Sequence, residues 1–193
     1  MRLRHRAVAL SCAAIFSSAP AGAREAPEAL PGSVPLVAGH AQVLFSPWDN
    51  VEGAIVAALR AARQEILVHS FSFTSRAIAR ALIEARTRGV DVRITVDAAE
   101  SARADNNRIP ELAAAGIPVF VEEGYQSAHN KVMIIDAALG GGKVITGSYN
   151  WTHAAQRRNA ENVIILTGQN AVTARYRTNW ERQRADARPF VNR

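Results

Sequence analysis

Five residues in the second half of the chain carry groups suited to phosphoryl chemistry: an imidazole at His129, an ammonium at Lys131, a hydroxyl at Ser148, an amide at Asn150 and a carboxylate at Glu161. Their spacing matters as much as their types. His129-Asn-Lys131-Val-Met-Ile-Ile-Asp136 reads as a strand, and alternate strand side chains share a face, so His129 and Lys131 point the same way. In Gly147-Ser148-Tyr149-Asn150, at the end of the next strand, Ser148 and Asn150 share parity, and Glu161 opens the strand after that. Converging on one end of a sheet, these groups would supply what phosphodiester cleavage needs: a nucleophile, a proton relay and positive groups for charge on the non-bridging oxygens. A strand histidine beside a lysine is by itself more often a solvated surface pair. The serine, amide and carboxylate at matching positions outweigh that reading.

Asp136 lies seven residues beyond His129, roughly 23 Å along a strand at ~3.3 Å per residue and on the opposite face. It cannot share a phosphate with His129 and is assigned to the turn that follows, as a structural acceptor. Ser148 belongs to the support of the site. The other histidines carry less: His69, in an apolar run, reads as a hydrogen-bonded core residue near the site, and His153 as a solvated helix start. Trp48 and Trp180 read as core rather than as platforms for bases.

The elements that must position these residues follow from periodicity. Strands are expected at 42–46, 65–73, 91–96, 118–122, 129–135, 143–147 and 161–166, with helices beginning after Asn50 and Ser75, around 101–115, and from Asn170 to Arg184. The last helix sets Val172, Tyr176 and Trp180 on one stripe. Strands alternating with helices in the first half and short connections in the second predict an α/β domain: a mixed β-sheet flanked by helices on both faces, its first strands parallel. The Asp136–Gly147 connection, with Gly140-Gly141-Gly142, is long and should be a mobile turn beside the groove.

Domain organisation is read as a signal peptide over 1–23, a Pro/Ala/Gly-rich leader over 24–40 and a catalytic domain over 41–188. The first part joins a basic start, an apolar run from Ala7 to Phe16 and Ala21-Gly22-Ala23, a small-x-small cleavage pattern. Export to a secreted or periplasmic location is therefore expected, with cleavage near Ala23. The formal charge of +6 is partly targeting signal, because losing Arg2, Arg4 and Arg6 leaves 20 basic against 17 acidic residues. The only cysteine, Cys12, lies in the same segment. Cysteine proteases, zinc ribbons and iron–sulfur proteins are thereby excluded, and no acid shows metal-ligand spacing with a histidine.

HxKxxxxD, GSxN and the later Asn159-x-Glu161-Asn162 together resemble the phospholipase D superfamily, with the nearest likeness to small secreted Nuc-type bacterial endonucleases. The likeness extends through Val43-Leu-Phe-Ser-Pro47, Ser70-Phe-Ser-Phe-Thr74, Arg88-Gly-Val-Asp-Val-Arg93 and Gly116-Ile-Pro118 to the Trp180 helix, about residues 41–185. The resemblance implies a phospholipase D/nuclease-like single domain without cofactor or metal. It also implies covalent catalysis: His129 attacks phosphorus to form a phosphohistidine, a second histidine protonates the leaving group and then activates water, and Lys131 and Asn150 hold the phosphoryl oxygens. Glu161 is the candidate to fix the tautomer of His129. One departure from the family pattern is the connection between Asp136 and Gly147, which is longer than usual.

A second HxK copy within the chain is impossible, since Lys143 is the only other lysine and residue 141 is Gly. A homodimer with a shared site is therefore expected. Three function classes stand: a nonspecific endonuclease acting on DNA or RNA, a phospholipase D acting on phosphatidylcholine-type headgroups, and a silent binding module. Nucleic acid is preferred because the clearest helices have narrow apolar faces, unlike an interfacial helix. Arginines are spread over Arg60, Arg63, Arg76, Arg80, Arg86, Arg103, Arg108, Arg157 and Arg158. Arg157 and Arg158 are candidates for lining the approach to the site.

Overall fold

Ile66, Leu67 and Val68 are consecutive in one strand and all fully buried, which requires cover on both faces of the sheet they sit in. A computed structural model describes Val34, Leu36, 39–103 and 106–191, so the signal peptide expected over 1–23 and most of the leader expected over 24–40 lie outside the described residues. The elements run β1 (His40–Ser46), α1 (Val51–Arg60), β2 (Glu65–Ser70), α2 (Arg76–Thr87), β3 (Asp91–Asp97), α3 (Ala98–Arg103), α4 (Ile109–Ala114), β4 (Val119–Glu122), β5 (Lys131–Ile135), β6 (Lys143–Gly147), α5 (His153–Arg157), β7 (Glu161–Thr167), α6 (Asn170–Asp186) and β8 (Arg188–Pro189).

The strands form one eight-stranded sheet in the order β1-β7-β6-β5-β2-β3-β4-β8. It is mixed, as expected. β2, β3 and β4 pair in parallel, while β5 is antiparallel to β2 and the pairs β5–β6, β6–β7 and β7–β1 are also antiparallel. β1 therefore runs in the same direction as β2, β3 and β4, although three strands separate it from β2.

One face packs Ile66, Val68, Ile94, Met133 and Ile145 against Ile55 and Leu59 of α1 and Ile78 and Leu82 of α2. On the other, Leu67, Val132, Ile134 and Val144 pack against Trp180 of α6, with Tyr176 partly buried beside them. Alternation along β2 and β5 is what assigns each residue its side. The helix starts follow the caps read in the sequence: the Asn50 carboxamide oxygen accepts from Gly53 N at 3.0 Å, and Ser75 Oγ from Ile78 N at 3.1 Å. After α2 the chain turns at Gly89, whose φ of 89° suits glycine.

Three expectations need correction. The helix expected over 101–115 is two short ones, α3 and α4, with Pro110 in the first turn of α4. The strand expected to begin at His129 begins at Lys131. Trp48, expected in the core, is 81% exposed in the turn after β1. α5 starts at His153, where the sequence reads as a helix start, whereas β8 was not expected, because two residues are too short to show a period. No helix among the described residues is long and apolar enough to cross a membrane.

Candidate active site

The topology brings the chemistry-bearing residues to one end of the sheet. β1 and β2 end there and β7 and β5 begin there, since Ser46 is paired with Glu161 and Ser70 with Lys131. β6 also ends there, at Gly147 opposite Val163.

Phe71, one residue past β2, is the floor on which the nucleophile candidate rests. Its ring centroid lies 4.3 Å from that of His129, tilted by 57°, and the Lys131 ammonium stands 4.5 Å from the same centroid. The shared orientation read from parity is therefore present, although His129 itself precedes the strand. Lys131 Nζ also donates to the His129 carbonyl at 2.9 Å. His129 is exposed and its ring nitrogens make no hydrogen bond among the described residues, whereas Lys131 is buried. That burial pulls the lysine down from its ordinary value to about 8, against the raising influence of Glu161, Asp97 and Glu100.

The GSYN segment works as a bracket. A Cβ on Gly147 would lie 2.1 Å from the Asn162 carbonyl oxygen, so only glycine lets β6 approach β7 this closely. The approach lets Ser148 N donate to Asn162 O at 3.1 Å and Ser148 Oγ donate to Glu161 Oε2 at 2.5 Å. Asn159 Nδ2 donates to the other oxygen, Glu161 Oε1, at 2.8 Å. In the single chain Glu161 is thus held by Ser148 and Asn159 rather than bonded to His129. Asn150 presents a carboxamide whose buried oxygen has no hydrogen-bond partner among the described residues. That oxygen can only accept, so any contact to a phosphoryl oxygen has to come from the Nδ2 of the same carboxamide, which donates.

Behind this bracket, Trp151 Nε1 donates to His69 O at 3.0 Å, and Trp151 O accepts from Thr74 N and Ser75 N, tying the segment to the exit of β2. Tyr149 is fully buried, and its hydroxyl is pushed up, by burial first and then by Glu52 and Glu161. His69 lies in the core as expected, 2.6 Å from Thr95 Oγ1 and 3.4 Å from Glu122 Oε1.

Asp136 is far from these groups. Its carboxylate accepts from the backbone N–H groups of Arg63, Gln64 and Glu65, at 2.9, 2.7 and 3.1 Å for the closer oxygen in each case. It is the structural acceptor expected, but it serves the turn entering β2 rather than the turn that follows it. The glycine turn expected beside the groove is likewise at this far end, joining the end of β5 to the start of β6. Arg157 and Arg158 are exposed at the end of α5, just before Asn159. His153 is exposed at the start of α5. Two residues that sequence reasoning passed over, Phe71 and Asp97, touch the site or its backbone; an aromatic and an acid at strand ends carry no signal of their own. Among the described residues, no three His, Cys, Asp or Glu side chains group in a way that could hold a metal ion.

Comparison with known proteins agrees with this geometry. The family model described as "Cardiolipin synthase, PLD-like domain" matches residues 55–183. The chain is 37% identical over 141 residues to a phospholipase D of Rickettsia bellii, covering 73% of this chain and 67% of that one. It is 31% identical over 134 residues to the mitochondrial cardiolipin hydrolase of Xenopus tropicalis, covering 69% of this chain and 61% of the relative. Among solved structures it is similar to Nuc from Salmonella typhimurium, a phospholipase D family member, with a TM-score of 0.74 at 28% identity over 79% of this chain and 98% of that one. With the matching fold, these likenesses make the chain a member of the phospholipase D superfamily of phosphodiester hydrolases.

Proposed function

We propose that the chain is a secreted or periplasmic endonuclease of low sequence specificity, cleaving DNA or RNA through a phosphohistidine without a metal or other cofactor. The observation that carries this reading is the pairing of His129 and Lys131 on the Phe71 ring, an exposed imidazole beside a buried cation. A nitrogen of His129 attacks phosphorus and the bond to the leaving oxygen breaks. That oxygen takes a proton from the imidazolium of His129 of a second copy. The second imidazole, now neutral, removes a proton from water; the water oxygen attacks phosphorus and the P–N bond breaks, restoring both histidines. Lys131 and Asn150 bind the non-bridging oxygens as charge develops. Glu161, fixed by Ser148 and Asn159, supplies a negative charge at this edge and is the candidate to orient a histidine of either copy. A homodimer with the site on its two-fold axis follows from the single His129 per chain.

A phospholipase D acting on phosphatidylcholine-type headgroups is the second reading, and two observations favour it. The Rickettsia relatives carry that name. Val43, Phe45 and Trp48 are exposed at 54, 49 and 81%, near the strand end that meets Glu161, an apolar cluster of the kind that docks at a lipid surface. In favour of nucleic acid stand Arg157 and Arg158 on the same edge and the overall likeness to Nuc, which covers nearly the whole of that chain. The two readings separate when one preparation, freed of the signal segment, is assayed on plasmid DNA and on phosphatidylcholine vesicles at equal enzyme concentration with EDTA present. Faster DNA cleavage supports the endonuclease. Faster release of headgroup replaces it, and loss of all hydrolysis in EDTA, restored by a divalent ion, removes the metal-free mechanism.

A further inference from the structure

The His129 ring packs on Phe71 but makes no hydrogen bond among the described residues, so the clamps on the backbone either side of it bear on where the imidazole stands. On one side, Asn130 O accepts from Phe71 N at 3.1 Å, and Asn130 Nδ2 donates to Gln183 Oε1 of α6 at 3.2 Å. On the other, the N–H of Ala128 donates to Asp97 Oδ2 at 2.8 Å. Asp97 closes β3 and is only 4% exposed, and its second oxygen accepts from Glu100 N at 2.8 Å. Among the described residues no Lys or Arg forms an ion pair with it. A buried carboxylate satisfied only by backbone N–H groups is an expensive way to stitch a loop. Asp136 is satisfied in the same way at the far end of β5; what sets Asp97 apart is that the peptide it holds, at Ala128, adjoins His129.

We propose that Asp97 is a positioning residue for the reaction, fixing the 128–130 backbone so that His129 stands over Phe71 and placing a negative charge where it favours the Lys131 ammonium. The inference rests on the phosphodiesterase reading of this site. The charged groups that bear on Lys131 are Glu161, Asp97 and Glu100. Asp97 differs from the other two in also holding the loop. The loss of its bond to Ala128 frees the peptide that carries the nucleophile, and the loss of its charge lets the lysine shed its proton at lower pH.

The test uses the whole chain freed of its signal segment and bis(p-nitrophenyl) phosphate, a diester that is neither nucleic acid nor lipid. In Asp97→Asn, kcat should fall by about 10²-fold, as a small misplacement of a reacting group does, with KM changed by less than about twofold. Its alkaline limb should move to lower pH. Glu100→Gln, which removes a charge without touching the Ala128 bond, should move that limb in the same direction and leave the plateau kcat unchanged. Asp97→Glu, which keeps the charge but alters the reach, should lower kcat and leave the limb in place; it carries the test should Asp97→Asn not fold. Wild-type kcat and limb in Asp97→Asn, or wild-type kcat in Asp97→Glu, overturns the proposal. Should the wild type not cleave the diester, the phosphodiesterase reading falls. Asp97 is then judged by NMR: unchanged His129 ring signals and Ala128 amide exchange in the variant overturn its positioning role.

Discussion

Lys131 is a cation kept where water is largely excluded, and the consequences follow from the sign of its shift. Its value falls from 10.5 to about 8 chiefly through burial. Between those two values the unfolded chain binds a proton that the folded chain has shed, so this residue makes stability rise with pH across that window. Below about 8 both states are protonated and the full cost of the buried charge is present. Lys131→Met should therefore be more stable than wild type at neutral pH, by on the order of 1 kcal/mol in denaturant titrations, with the gap closing as pH rises toward 10.5. The same variant should lose activity, because an apolar side chain cannot hold a phosphoryl oxygen. In the wild type, kcat should decline as pH rises through about 8, when the ammonium deprotonates. For His129, both His129→Ala and His129→Asn should abolish turnover while leaving Tm nearly unchanged, since the imidazole is exposed and has no hydrogen bond to lose. An amide of similar reach cannot form the phosphoenzyme, and residual turnover in His129→Asn would remove the covalent route.

At the scale of elements, the two ends of β5 do different work. Lys131 opens the strand at the candidate site, and Asp136 follows its other end, five positions along, with three backbone N–H groups of the 63–65 turn on its carboxylate. Asp136→Asn exchanges an acceptor for a donor facing those N–H groups and should cost about 1–3 kcal/mol of stability while leaving kcat unchanged. A kcat loss without a stability loss would place Asp136 in the chemistry after all. This division was legible in the sequence because strand parity and rise are geometric: they separated His129 from Asp136 before any contact was known. The apolar run of β2 and the caps of α1 and α2 at Asn50 and Ser75 were legible as well, because each is a local pattern. What escaped depends on contacts between segments remote in sequence. Asp97 meets Ala128 across 31 positions and Phe71 meets His129 across the β2–β5 pairing, so neither leaves a local pattern. Trp48 shows the limit of composition: a tryptophan is more often inside than out, and only the turn geometry after β1 shows that this one is exposed.

Across the whole molecule, alternation of strands and helices sorts the arginines into two ends. α1, α2 and α3 each start at the site edge, because they follow strands that end there. Exposed Arg76 at the start of α2 and Arg103 in the short α3 therefore lie toward that edge, along with Arg157 and Arg158. Arg60 and Arg86, in the last turns of α1 and α2, lie toward the opposite end with Asp136. Of the arginines that look spread in the sequence, Arg76, Arg103, Arg157 and Arg158 thus lie toward the end of the sheet that carries His129. In the proposed homodimer the two-fold axis doubles that set and brings both imidazoles to one phosphate. Sedimentation should show a dimer at working concentration, and a fully active monomer would remove the two-histidine mechanism. The doubled set fixes a salt dependence as well. Each phosphate neutralised on duplex DNA contributes about 0.9 of a log unit of affinity per log unit of salt, through release of condensed counterions. The KM for plasmid cleavage should then rise steeply with salt. Arg157→Ala with Arg158→Ala should flatten that slope by about two to four units for the dimer if each arginine meets one phosphate in one or both copies. Arg60→Ala with Arg86→Ala removes the same charge from the far end and should leave the slope unchanged. Equal flattening by both pairs would mean that net charge alone attracts the substrate, and an unaltered slope in both would move nucleic acid away from this edge altogether.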